Sequence, residues 1–227
     1  MRVPAERLGD FHSGLSACRT AERRIGELIQ RYGIALLLDC VARNLDRSEA
    51  RMRAQIRRLP DGEVYYEDYL ETFSENGLEP LLLPLRLTVQ GEEMIADFTG
   101  VSPQVPVPVN STLAVSAASV FITLKSVLDP KAALNHGSFR PVKVIAPKGT
   151  IVNVTHPAPA GSHGEIRKRV IAATLGCLAQ LAPELVSADI HRTSFHNLIG
   201  GMHPKTGREY VHYEWSCGGN GAFLEAD

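Results

Sequence analysis

Leu83, Leu85, Leu87 and Val89 recur at strict period two, the spacing that puts alternate side chains on one face of an extended strand. A strand of that kind needs both a hydrogen-bonding partner and a cover. The glycine-containing turn after Val89 and the apolar run Met94–Phe98 supply the partner, so "LPLRLTVQGEEMIADFTG" predicts a β-hairpin. The preceding "EVYYEDYLE", tyrosine-rich with mixed alternation, extends it to a three-stranded sheet.

Helical patterns supply the cover. From Ser16 to Tyr32 the residues Ala17, Ala21, Ile25, Leu28 and Ile29 form an amphipathic stripe that Gly33 interrupts. A second helix is predicted from Ile34 to Leu59, stopped by Pro60-Asp61-Gly62 and only partly buried. After the proline-rich "DFTGVSPQVPVPVN", Ser111 is placed to cap a helix running to Leu128. Its composition, apolar nearly all round, predicts a central, buried element. Val142–Ala146 and Thr150–Val154 read as two short strands joined by a Pro-Lys-Gly turn. Glu165–Leu181 is a further helix, and the segment from Asp189 onward is polar, His-rich and Gly-rich. The fold class expected is mixed α/β (α+β), with helices packed on a mainly antiparallel sheet with strand hairpins. The expected division is a helical segment, 1–62, and a mixed α/β segment, 63–227.

Composition excludes several functions. With 227 residues and 44% hydrophobic content the chain can bury a core as one large domain or two small ones. A net charge of -1, from 24 basic and 25 acidic residues, lacks the footprint of a nucleic-acid binder. Cys18, Cys40, Cys177 and Cys217 form no CxxC pair, so no zinc ribbon or redox motif is expected and reduced cytoplasmic thiols are the simplest account. No apolar run is long enough to span a bilayer, and the N-terminus has no secretory h-region.

Three loops could carry chemistry. "GSHGE", Gly161 to Glu165, puts several backbone N–H groups at a helix start, where an anion or oxyanion could be held; Ser162 and Glu165 equally fit a capping box. The histidines after Asn135 show no metal-ligand spacing, and no metal site is expected in this chain. "CGGNGA" permits close backbone approach but lacks the lysine of a P-loop, and Cys217 beside it is the one thiol placed to react.

Taken in order, "LGDFHSGLSACRTAERRIGELIQRYG", "DFTGVSPQV" with "VPVN", "HGSFRPVKVIAPKGTIVNV", and "PAPAG" before "RVIAATLGCLAQLAPE" resemble the hydantoinase B/oxoprolinase family across almost the whole chain. Its members include N-methylhydantoinase B, the B-type part of 5-oxoprolinase, and acetone and acetophenone carboxylase relatives. The resemblance implies a portion of a longer B-type component, which works with an A-type partner in a hetero-oligomer. There the partner uses ATP with Mg to activate the carbonyl of a small cyclic amide, whose ring the B-type part then opens. It also implies a divalent metal in a His/Asp-rich segment upstream of the residues here. A non-catalytic docking domain and part of a ketone carboxylase are the alternatives.

Residue by residue, the resemblance fixes no catalytic set. His163, Glu165 and His196 are the candidates for catalysis, and Gln104, Asn110, Arg140, Asn197, Gly218 and Gly219 the candidates for the substrate pocket. Two positions depart from the family pattern. His163-Gly164 precedes Glu165 where an asparagine is common, and His196 stands where an asparagine is usual.

Overall fold

The computed structural model describes residues 4–74, 77–193, 195–216, 218–219 and 221–223, so Cys217 lies outside the described residues. The chain divides into two compact units, Met1–Arg47 and Ser48–Asp227.

The first unit is helical. Helix α1 (Pro4–Tyr32) begins at a proline, a residue suited to the first turn because its missing N–H has no helical acceptor there. The helix therefore starts twelve residues before Ser16. Gly33, at φ 78°, takes the left-handed conformation that ends it, and its N–H donates to the Ile29 carbonyl at 2.8 Å. Helix α2 (Ile34–Ile56) follows. Its last turns belong to the second unit, where Met52 and Ile56 are fully buried.

The second unit is built on a four-stranded sheet of β1 (Gly62–Ser74), β2 (Gly77–Gln90), β3 (Glu93–Asp97) and β4 (Val142–Ile145), in that order. The first three are antiparallel, as the alternation requires, and Leu83, Leu85, Leu87 and Val89 all face the core. The sheet gains the fourth strand because the chain after β3 crosses through α3 (Leu113–Leu128) and returns parallel to it. Helix α4 (His163–Leu181) packs on β1 and β2 and beside α3. Cys177 is buried there, its thiol pushed up to about 12 by burial. The mixed α/β class and mainly antiparallel sheet are as expected.

Four local expectations are corrected. Thr112, not Ser111, caps α3, its side chain accepting from the Val115 N–H, while Ser111 is buried with its N–H on the Ile151 carbonyl. Helix α3 buries one face only, and Ile122 on the other is 43% exposed. The buried face carries Ser116, Ser119 and Thr123, which are tolerated because each hydroxyl donates to a carbonyl, those of Val152, Val115 and Ser119 respectively. Thr150–Val154 is a turn and not a strand. Gly149 at φ 76° turns the chain, and Thr150 Oγ1 and Asn153 Nδ2 donate to the Pro147 and Ala146 carbonyls, curling it back. Lastly, the polar segment after Asp189 contains a second hairpin, β5 (Phe195–Met202) with β6 (Glu209–Ser216).

The proline-rich stretch is held from within. Asn110 is fully buried: its Oδ1 accepts from the Val105 N–H, and its Nδ2 donates to the carbonyls of Val105, Val107 and Pro159. One amide thus ties the stretch to itself and to the loop ahead of α4.

Candidate functional site

A cleft of about 600 Å³ opens where the start of α4 meets the β5–β6 hairpin. On one side lie Gly161 to Glu165 and Arg167; on the other lie His196, Leu198, Tyr213 and Trp215. The antiparallel register explains the second wall, since His196 pairs with Trp215 and Leu198 with Tyr213, and directly paired residues share a face.

The helix start leaves the N–H groups of His163 and Gly164 without an intrahelical acceptor. Ser162 is the N-cap residue, yet its side chain makes no capping hydrogen bond, so the capping box suggested by the sequence does not form. Instead the Glu165 carboxylate turns toward the hairpin's lead-in segment and accepts from Thr193 Oγ1 at 2.7 Å. His163 is exposed, with Nδ1 3.3 Å from the Ala160 carbonyl.

The hairpin wall is aromatic. The His196 ring stacks on Trp215 with centroids 5.8 Å apart and planes 14° from parallel, and its Nδ1 lies 2.5 Å from the Tyr213 hydroxyl. The Arg167 guanidinium sits 5.9 Å from the Trp215 ring centroid, within cation–π range. Such a wall can take a flat ring on its face, and the opposite wall offers N–H donors for an oxygen.

The lead-in segment is anchored to the core. Arg192 donates to buried Asp68 at 2.7 Å and to the Tyr66 hydroxyl at 3.1 Å, Arg169 reaches the same carboxylate oxygen, and Lys168 donates to the Thr193 carbonyl.

The three catalytic candidates, His163, Glu165 and His196, thus line one cleft. The six pocket candidates do not join them. Gln104 lines a separate cleft of about 360 Å³ with Pro106, Pro157 and Pro159, and its Oε1 accepts from the Thr155 N–H and hydroxyl. Asn110 is consumed by backbone, as above, and Arg140 donates to Glu49 at 3.0 Å. Asn197 follows His196 on β5, so it faces the other side of the hairpin, where Nδ2 donates to Ser216 Oγ. Gly218 leaves no room for a side chain, since a Cβ there would lie 1.9 Å from the His191 ring, whereas Gly219 has open space. Sequence reading missed Arg167, Tyr213 and Trp215. The alternation in "EYVHYEWS" was the signal that could have found the last two. Among the described residues no three His, Cys, Asp or Glu side chains gather as a metal site, and no helix is long and apolar enough to cross a membrane.

Residues 1–227 match the family described as hydantoinase B/oxoprolinase. The beta chain of the caprolactamase of Pseudomonas jessenii is 32% identical over 213 residues, which are 93% of this chain and 36% of that protein. The candidate B component of a D-/L-hydantoinase from Pseudomonas sp. (strain NS671) is 32% identical over 201 residues, 84% of this chain and 34% of that protein. Among solved structures, the ATP-dependent caprolactamase from Pseudomonas jessenii aligns with a TM-score of 0.83 at 30% identity, over 93% of this chain and 36% of that one. Nucleotide-free acetone carboxylase shares the fold, with a TM-score of 0.83 at 16% identity over 95% of this chain and 31% of that one. The chain therefore spans roughly a third of the length of each of these proteins. On the whole-length match and the shared fold, this chain belongs to the hydantoinase B/oxoprolinase family.

Proposed function

We propose that this chain is part of the B-type component of an ATP-dependent cyclic amide hydrolase, and that the cleft between α4 and the β5–β6 hairpin is where the activated ring is opened. The observation that carries the reading is the convergence of His163, Glu165 and His196 on a cleft with one aromatic and one N–H-lined wall. The relatives named as caprolactamase and hydantoinase components support the substrate class.

An unactivated amide is a poor electrophile. In this reading an A-type partner transfers the γ-phosphoryl group of ATP, with Mg, to the amide oxygen, releasing ADP and the amide proton. Water then adds to the ring carbon, the C–N bond breaks, and a proton goes to the leaving nitrogen. The resulting acyl phosphate reacts with a second water to give carboxylate and inorganic phosphate.

This chain's residues suit three tasks in that sequence. Glu165 or His163 accepts a proton from water, and the N–H groups of His163 and Gly164 stabilise negative charge on the added oxygen. His196, linked to Tyr213, delivers the proton to nitrogen. Metal binding is assigned to no residue here, because the described side chains gather no suitable set.

The test is ring opening of caprolactam, hydantoin and 5-oxoproline by the chain with an A-type partner, with and without ATP. ADP and ring-opened product in equal amounts, only when both proteins are present, is the expected result. Incorporation of labelled bicarbonate into product would replace this reading with a carboxylase.

A further inference from the structure

Among the described residues no acid pairs with Arg167, the arginine that lines the cleft. Its half-buried guanidinium touches the Trp215 ring but reaches no oxygen acceptor, and its Nε is buried without a hydrogen-bond partner. The basic side chains around it are all engaged. Arg169 and Arg192 both donate to Asp68, and Lys168 donates to the Thr193 carbonyl. Glu165 stands two residues before Arg167, a spacing that sets their side chains on different sides of α4, and it accepts from Thr193 Oγ1. A guanidinium is always charged and carries five N–H donors, so sheltering one without an oxygen acceptor costs stability that a bound anion restores.

The place of Arg167 suits an anion carried on a flat ring. Helical side chains lean toward the N-terminus, so Arg167 reaches back over the turn of His163 and Gly164, whose N–H groups have no intrahelical acceptor. Across the cleft stands the stacked pair of His196 and Trp215. Both walls belong to the unit Ser48–Asp227, so one compact body sets their spacing. A ring lying on the aromatic wall presents a charged substituent to Arg167, and arginine holds carboxylate and phosphate alike through two parallel N–H···O bonds.

We propose that Arg167 is the anion-binding residue of the cleft and takes an oxyanion, carboxylate or phosphoryl, attached to the ring substrate. This rests on the reading of the cleft as the ring-opening site. 5-Oxoproline brings its own carboxylate, whereas caprolactam is neutral until an A-type partner phosphorylates its oxygen, so the two rings separate the two sources.

Trp215 is the chain's single tryptophan, so its fluorescence reports directly on the surroundings of Arg167. The test titrates the full chain with 5-oxoproline and with inorganic phosphate at constant ionic strength. A saturable change with at least one of them is expected, about 10- to 100-fold weaker in Arg167→Met and partly restored in Arg167→Lys, with circular dichroism unchanged. In the complex with an A-type partner, Arg167→Met assigns the carboxylate if KM for 5-oxoproline rises about 10-fold with caprolactam unaffected, and the phosphoryl group if kcat/KM falls equally for both. No response to either anion, equal affinity in wild type and Arg167→Met, or turnover of both rings unchanged by Arg167→Met each overturns the proposal. If the wild-type complex opens neither ring, the reading of the cleft as the ring-opening site fails, and the titration alone decides whether Arg167 binds the anion.

Discussion

Asp129 ends α3 as a buried carboxylate between two cations, Lys125 within the core and Arg51 at its edge. Burial draws its pKa upward, but the Arg51 hydrogen bond and the Lys125 and Arg51 charges together outweigh burial and hold it below the ordinary carboxylate value. A lowered folded-state pKa contributes stability that is present above the unfolded value and is lost as pH falls through the folded one. Asp129→Asn should therefore cost about 3 kcal/mol near neutral pH, since it strips the charge partner from the buried Lys125 ammonium. In urea melts the gap between wild type and variant should narrow as pH falls through and below the ordinary carboxylate range, and a gap independent of pH would contradict this account. At this scale the sequence was partly informative. His163 and Glu165 were singled out because loop glycines and a helix start sit beside them, and His196 because it stands where the family pattern has an asparagine. Asn110 looked like a pocket residue because an asparagine at the end of a proline run gives no sign that four backbone groups will enclose it.

Elements were more legible than their ends. Period two in β2 and the three- and four-residue steps in α2 and α4 located those elements, because burial of one face dictates the repeat. The β5–β6 hairpin escaped notice because both strands are largely exposed, so no buried face imposes a sustained apolar repeat and only the short Tyr213–Trp215 alternation in β6 marks it. Parallel pairing of β4 with β3 depends on a crossover of more than forty residues, which no local pattern encodes. The junction of α4 and β1 offers a direct check. A Cβ at Gly176 would stand 2.3 Å from the Tyr66 ring, and Tyr66 in turn receives the Arg192 hydrogen bond that anchors the lead-in to the hairpin. Gly176→Ala should destabilise the second unit by about 1–3 kcal/mol in denaturant melts. An unchanged melt would mean that Tyr66 moves aside freely.

For the molecule as a whole, the fold brings a helix start and an aromatic hairpin wall to one cleft, using the anchors on Asp68 and Thr193 to set the second against the first. The proposal that this cleft takes a cyclic amide rests on the named relatives, because the geometry by itself would suit any flat ring bearing an oxygen. The most direct test is the steady-state rate of ATP-dependent ring opening by the complex with an A-type partner, comparing wild type with His163→Ala, His196→Ala and Glu165→Gln. If the cleft performs the proton transfers, at least one of the three should lower kcat by about 10²-fold or more while circular dichroism and partner binding are retained. Wild-type turnover in all three variants would contradict the account and leave this chain as a scaffold for chemistry carried out elsewhere.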